Sequence, residues 1–100
     1  MKQYILKLHP ELIYEDGLIV VNAKSIKELK EILNKITYND MYPNTKNNSS
    51  TDELFFNEHS PIFIQEKLDL EKCPNECWYI LNVVNTSGNA GFIAGSYHAG

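Results

Sequence analysis

"CWYILNVVN" at residues 77–85 and "GFIAGSYHA" at 91–99, joined by "TSGNA" at 86–90, form the stretch on which the fold turns. Both runs are rich in β-branched and aromatic residues and the link carries turn formers, so they read as two strands. A five-residue link predicts that they pair with each other as an antiparallel hairpin. Trp78, Ile80 and Val84 are expected on one face and Tyr79, Leu81 and Val83 on the other. Gly91 and Gly95 predict either a close backbone approach or an edge position for the last strand. From Cys77 to Gly100 there is no charged side chain. The stretch is therefore expected to lie centrally in a sheet or under a partner.

Immediately upstream, "CPNEC" at 73–77 brackets a Pro-Asn-Glu turn, with Cys77 starting the strand as a small apolar residue. Two thiolates with His59 and His98 would complete a tetrahedral zinc site, but the spacing is loose and no local His pair finishes a finger pattern. A thioredoxin-type motif needs two intervening residues and a helix start, and here there are three before a strand. Neither metal nor redox cofactor is expected.

Further upstream, "SIKELKEILNKI" at 25–36 is the clearest helix. Ser25 with Glu28 forms a capping box, and Ile26, Leu29, Ile32, Leu33 and Ile36 make one apolar stripe. Lys27, Lys30 and Lys35 interleave with Glu28 and Glu31 on the opposite side, which reads as a solvated face rather than a basic docking helix. "KQYILKLH" at 2–9 alternates with Tyr4, Leu6 and Leu8 on one side, a strand with one buried face. Asp16-Gly17 between two apolar runs predicts a hairpin turn, with strands near 12–14 and 18–22.

Residues 38–51, "YNDMYPNTKNNSST", lack periodicity and read as a long polar loop. Tyr38, Met41 and Tyr42 in its first part are either an interaction anchor or a cover for the helix end. Beyond it, Thr51 is a candidate cap for a short helical turn carrying Leu54 and Phe55. "PIFIQE" at 61–66 reads as a strand with its proline at the start. A helix from Ser60 with Pro61 at its first position is the competing reading.

One hundred residues bound the chain to a single domain, 1–100, and a charged fraction of 22% places it among ordinary globular sequences. No stretch approaches the length of a membrane span, and Lys7 and His9 interrupt any leader-like apolar run, so a cytoplasmic location is the expectation. All nine basic residues are Lys and none is Arg, which removes the usual means of bidentate phosphate recognition. Residues 1–46 carry seven Lys against six acids, whereas 47–100 carry two Lys against seven acids, all between Asp52 and Glu76. Direct nucleic-acid binding is accordingly disfavoured, and what exists would be a weak contribution from the Lys-bearing N-terminal half.

No phosphate-cradling glycine motif is present. His98 beside Tyr97 is the most site-like imidazole, yet no residue near it in sequence supplies an orienting partner for nucleophilic catalysis. The acids of 52–76 offer no spacing that marks an acid/base dyad. The expected fold is α+β: a mostly antiparallel sheet of four to six strands with the 25–36 helix on one face. The expected function is a non-enzymatic protein-binding module, an inhibitor or regulator, contacting its partner through Tyr38, Tyr42, Asp52, Glu53, Glu58 and Glu66. Such an acidic surface suits the basic groove of a nucleic-acid-binding protein. The alternative is an oligomeric ligand-binding or enzymatic domain with a cleft lined by Trp78, Tyr79, Tyr97 and His98, its uncharged 77–100 strands suiting a homodimer interface. In size, Lys- and Asn-rich composition and lack of motifs the chain is similar to small accessory proteins of phages and mobile elements, anti-CRISPR inhibitors among them. That similarity is of profile, and no family motif is matched at any residue.

Overall fold

The computed structural model describes residues 1–8, 15–41, 53–57, 62–67, 69, 71–72 and 77–99. Within them the chain is α+β, with one five-stranded mixed sheet and two short helices. The elements in chain order are β1 (Lys2–Leu8), β2 (Glu15–Ala23), α1 (Ile26–Leu33), α2 (Tyr38–Met41), β3 (Ile64–Gln65), β4 (Trp78–Asn85) and β5 (Gly91–Ala99). The strand order across the sheet is β3-β4-β1-β2-β5.

That order corrects the expected terminal hairpin. β4 pairs with β1 and β5 with β2, so the antiparallel β1–β2 pair lies between the two final strands. Residues 86–90 arch across the end of that pair instead of folding back on themselves. Three inter-strand gaps of about 4.8 Å are within reach of five residues at roughly 3.3 Å each. The arch is fastened where it crosses: the Thr86 N–H donates to the Met1 carbonyl at 3.0 Å, and the buried Asn22 donates its Nδ2 to the Asn89 carbonyl at 3.2 Å. The Asn22 Oδ1 in turn accepts from Gln3 Nε2 at 3.2 Å, so the side chain is bonded at both ends despite its burial.

Two bulges change the phase of the outer strands. The β1–β4 register passes from Leu6↔Ile80 to Ile5↔Asn82, leaving Leu81 as the extra residue. Because strand side chains alternate with period two, one inserted residue moves Val83 to the core face and Val84 to the other, the reverse of the simple alternation. Ile93 is the matching extra residue on β5, between Ala94↔Val20 and Phe92↔Val21.

The core lies on one face. Tyr4, Leu6 and Leu8 of β1 and Ile19, Val21 and Ala23 of β2 are buried there, as the β1 alternation predicts. α1 packs over β2 and β5 with Leu29 and Leu33 fully buried, each contributing on the order of 1.5–3 kcal/mol of apolar burial. Its start follows the expected cap: Ser25 Oγ accepts the Glu28 N–H at 3.2 Å, and the Glu28 carboxylate accepts the Lys24 N–H at 2.9 Å. It ends earlier than its apolar stripe. Lys35 and Ile36 close shorter turns onto the carbonyls of Ile32 and Leu33, which still deliver Ile36 to the core.

Asp16 and Gly17 lie inside β2, not in a turn; the expected strand at 12–14 falls outside the described residues. Gly17 is demanded by packing, since a Cβ there would stand 2.5 Å from Cη2 of Trp78. The expected strand within 61–66 is the two-residue β3, which runs parallel to β4 through Ile64↔Trp78 and Gln65↔Tyr79. Leu54 and Phe55 are extended rather than helical: Leu54 bridges Thr37, and the Phe55 N–H donates to the Ile36 carbonyl at 2.8 Å.

Gly17→Ala is expected to cost about 1–3 kcal/mol in chemical denaturation, the range for overpacking a filled core. Trp78 fluorescence should shift with it, because the indole is the group that has to move. An unchanged midpoint and spectrum would show that the indole does not rest on Gly17.

Candidate interaction surfaces

Placing the sequence-selected residues on this frame separates them. Tyr38 opens α2, half-buried, its N–H donating to the Glu53 carbonyl at 2.9 Å and its ring 5.4 Å from that of Phe55. Glu53 and Glu66 are exposed. Tyr42, Asp52 and Glu58 lie outside the described residues, as do Glu76, His59 and Cys73. Tyr38 is thus part of the aromatic packing that seats α2, while two of the selected acids remain at the surface.

Trp78, Tyr79, Tyr97 and His98 do not line one cleft. Trp78 is 3% exposed, opposite Leu8 on the core face. Its ring lies edge-on to Phe56 at 6.2 Å, and Phe56 is 5.0 Å from Phe55, which meets Tyr97 at 5.5 Å. Phe55 and Phe56 therefore join α2, β4 and β5 into one aromatic cluster. Tyr79 stands opposite Lys7 on the other face of the sheet. His98 pairs in register with Asp16, and its side chain is outside the described residues. Cys77 is fully buried, with Sγ 3.4 Å from the Trp78 carbonyl. Among the described residues no three His, Cys, Asp or Glu side chains converge.

Two surfaces emerge instead. The first is the outer edge of β5. Nine residues long and without charge or proline, it has a strand on one side alone among the described residues. Beside it runs a groove of about 390 Å³ lined by Asn39, Asp40, Phe92, Ile93, Ala94 and Gly95, with Ile93 51% exposed. α2 forms the opposite bank, and a local cap explains why this short helix exists. The Thr37 N–H and hydroxyl donate to Asp40 Oδ2 at 2.9 and 3.2 Å, and the Asp40 N–H returns a bond to Thr37 Oγ1 at 3.3 Å. The signal was present in the sequence as T-x-x-D at 37–40, inside what composition alone marks as loop. Gly95 lets α2 approach, since a Cβ there would stand 2.6 Å from Met41 Sδ.

The second surface is the face of the sheet opposite α1, which carries no helix among the described residues. Ile5, Val20, Leu18, Tyr79, Val84 and Ala94 occupy it by register, and Leu18 is 40% exposed. A depression of about 180 Å³ lies between β2 and β5, lined by Leu18, Val20, Ala94, Gly95 and Ser96. No helix among the described residues is long and apolar enough to cross a membrane. Comparison with protein-family models, curated proteins and solved structures finds no match.

Trp78 is the single tryptophan of the chain, so its emission reports the cluster directly. It is expected to be blue-shifted and shielded from acrylamide, and Phe56→Ala should move it to the red and open it to quenching. Emission of a solvated indole in the intact protein would instead return Trp78 to the surface.

Proposed function

We propose that this protein is a non-enzymatic protein-binding module, an inhibitor or regulator that takes an extended segment of its partner as an added strand along β5. The observation that carries the reading is the outer edge of β5: nine uncharged residues with no strand beyond them among the described residues, beside a groove banked by α2. Edge strands of monomeric proteins are ordinarily blunted by charge, proline or a covering element. Among the described residues the bulge at Ile93 is such a device within the strand and α2 lies beside it, and the residues after the bulge hold regular register with β2 down to Glu15. Main-chain groups of an added strand would supply affinity, and the apolar groove beside Ile93 would select side chains.

A second reading, contact through an acidic surface, is favoured by the exposure of Glu53, Glu66 and Glu71. It suits a basic partner such as the groove of a nucleic-acid-binding protein, where charge sets encounter rate and specificity.

The test is capture of partners from native-host lysate, with and without nuclease, using the wild-type chain, Ile93→Lys, and the double reversal Glu53→Lys with Glu66→Lys. A protein retained in stoichiometric amount by the wild type and the acidic-surface variant, but lost from Ile93→Lys, supports strand addition. Loss confined to the double reversal moves the contact to the acids. Recovery of nucleic acid alone, removed by nuclease, would overturn both.

A further inference from the structure

We propose that the segment accepted by β5 is basic, with a lysine or arginine side chain placed beside Asp40 on the side of the added strand that faces α2. The inference rests on strand addition at this edge and names the chemistry that the site selects. Of the residues lining the groove, Asn39, Asp40, Phe92, Ile93, Ala94 and Gly95, Asp40 is the one charged member. β5 itself contributes no Asp, Glu or Lys from end to end. An incoming strand therefore meets a groove of single negative charge, and that charge sits at a fixed point along it.

The carboxylate is half committed. Its Oδ2 accepts both the Thr37 N–H and the Thr37 hydroxyl, at 2.9 and 3.2 Å, which holds the side chain in place. Its Oδ1 accepts from no donor among the described residues. The residue is already half-buried, and a strand laid along 92–95 would remove more of its water. An ionised oxygen that loses water without gaining a donor is destabilised, so a neutral or acidic side chain at this point opposes binding. An ammonium or guanidinium group replaces the lost water with a charge-assisted hydrogen bond.

Strand geometry fixes where the basic residue falls. Gly95 and Phe92 lie on the α2 side of β5: a Cβ at Gly95 would abut Met41, and Phe92 packs against the core. Ala94, in register with Val20, faces the other way. Side chains of an added strand alternate in the same manner. The position nearest Asp40 is thus the basic one, while its two neighbours lie on the opposite face, away from the carboxylate, and need carry no charge.

Three short end-capped peptides test this, each with valine on either side of a central residue and threonine beyond, the central residue being lysine, glutamine or glutamate. Binding is followed by NMR, where shifts of the backbone amides at 92–95 report strand addition itself. The lysine peptide should bind the wild type about tenfold more tightly than the glutamine peptide, with the glutamate peptide weaker still, and added salt should shrink the difference. Asp40→Asn, which keeps an oxygen for the Thr37 cap and removes the charge, should level the three. Trp78 emission checks that the variant is folded, and the salt series on the wild type stands without it. Equal binding of all three peptides to the wild type, with the 92–95 shifts present, would overturn the basic preference and leave strand addition in place. A lysine preference that survives Asp40→Asn would overturn it too. Binding without those shifts, or no binding at the solubility limit of the peptides, would overturn strand addition and this inference with it.

Discussion

Leu6 and Ile19 face each other across β1 and β2, both fully buried, and the remaining elements are placed by what they can bury against that pair. The row extends outward on the same face to Ile80 of β4 beside Leu6 and to Gly95 of β5 beside Ile19. α1 covers the middle with Leu29 and Leu33. At the β5 end the row terminates in a residue without a side chain, and Met41 from α2 fills the space. The position of α2, and with it the groove along β5, follows from this one glycine. One row lower, Gly17 does the same for Trp78, letting the indole lie across β2. Two glycines in a packed face thus admit two large side chains from elsewhere, and interiors hold few voids larger than a water molecule.

What the sequence made legible was local. Alternation of Tyr4, Leu6 and Leu8, the Ser25–Glu28 cap and the apolar stripe through Ile36 each depend on neighbours within a few residues, and each appears as expected. Strand pairing does not work that way. A five-residue link is as compatible with crossing two strands as with a tight hairpin, and what decides is whether another strand pair already occupies the middle. Here β1–β2 does, and Asn22 and Met1 hold the arch that crosses it. Asp16-Gly17 misleads for a related reason. Glycine is selected by turns and by close packing alike, and only the tertiary position of Trp78 shows which applies. Bulges at Leu81 and Ile93 are equally silent in the sequence, since the inserted residue is as apolar as its neighbours.

The candidate surfaces were half legible. Absence of charge from Cys77 to Gly100 predicted a central or covered segment, and the structure divides it. Cys77 and Trp78 enter the core, whereas Leu81, Val83, Val84 and Ile93 stand exposed. Leu81 and Ile93 are the two bulge residues, one on each side of the β1–β2 pair at the level of Ile5 and Val20. A bulge residue has no opposite number, so nothing across the ladder shields it. The most exposed apolar side chains of the sheet are therefore a consequence of register, which composition cannot report. The acidic cluster was the reverse case, plain in composition but without a geometry that composition could supply.

The geometry of the sheet also governs how its surfaces relate. A sheet with a helix on one face leaves two kinds of bonding capacity, a flat apolar face and a line of main-chain donors and acceptors at its edge. The face is bonded by shape and area and the edge by direction, so their ligands differ in kind: a surface for one, an extended strand for the other. In this chain both lie on the β2–β5 side, where Ala94, Gly95 and Ser96 contribute to the depression on the face and Phe92 to Gly95 to the groove at the edge. Ala94 and Gly95 line both, keeping the face concave and the edge accessible. A bulky side chain at either would fill one surface or obstruct the other, so the composition of these two positions is set by two independent packing demands.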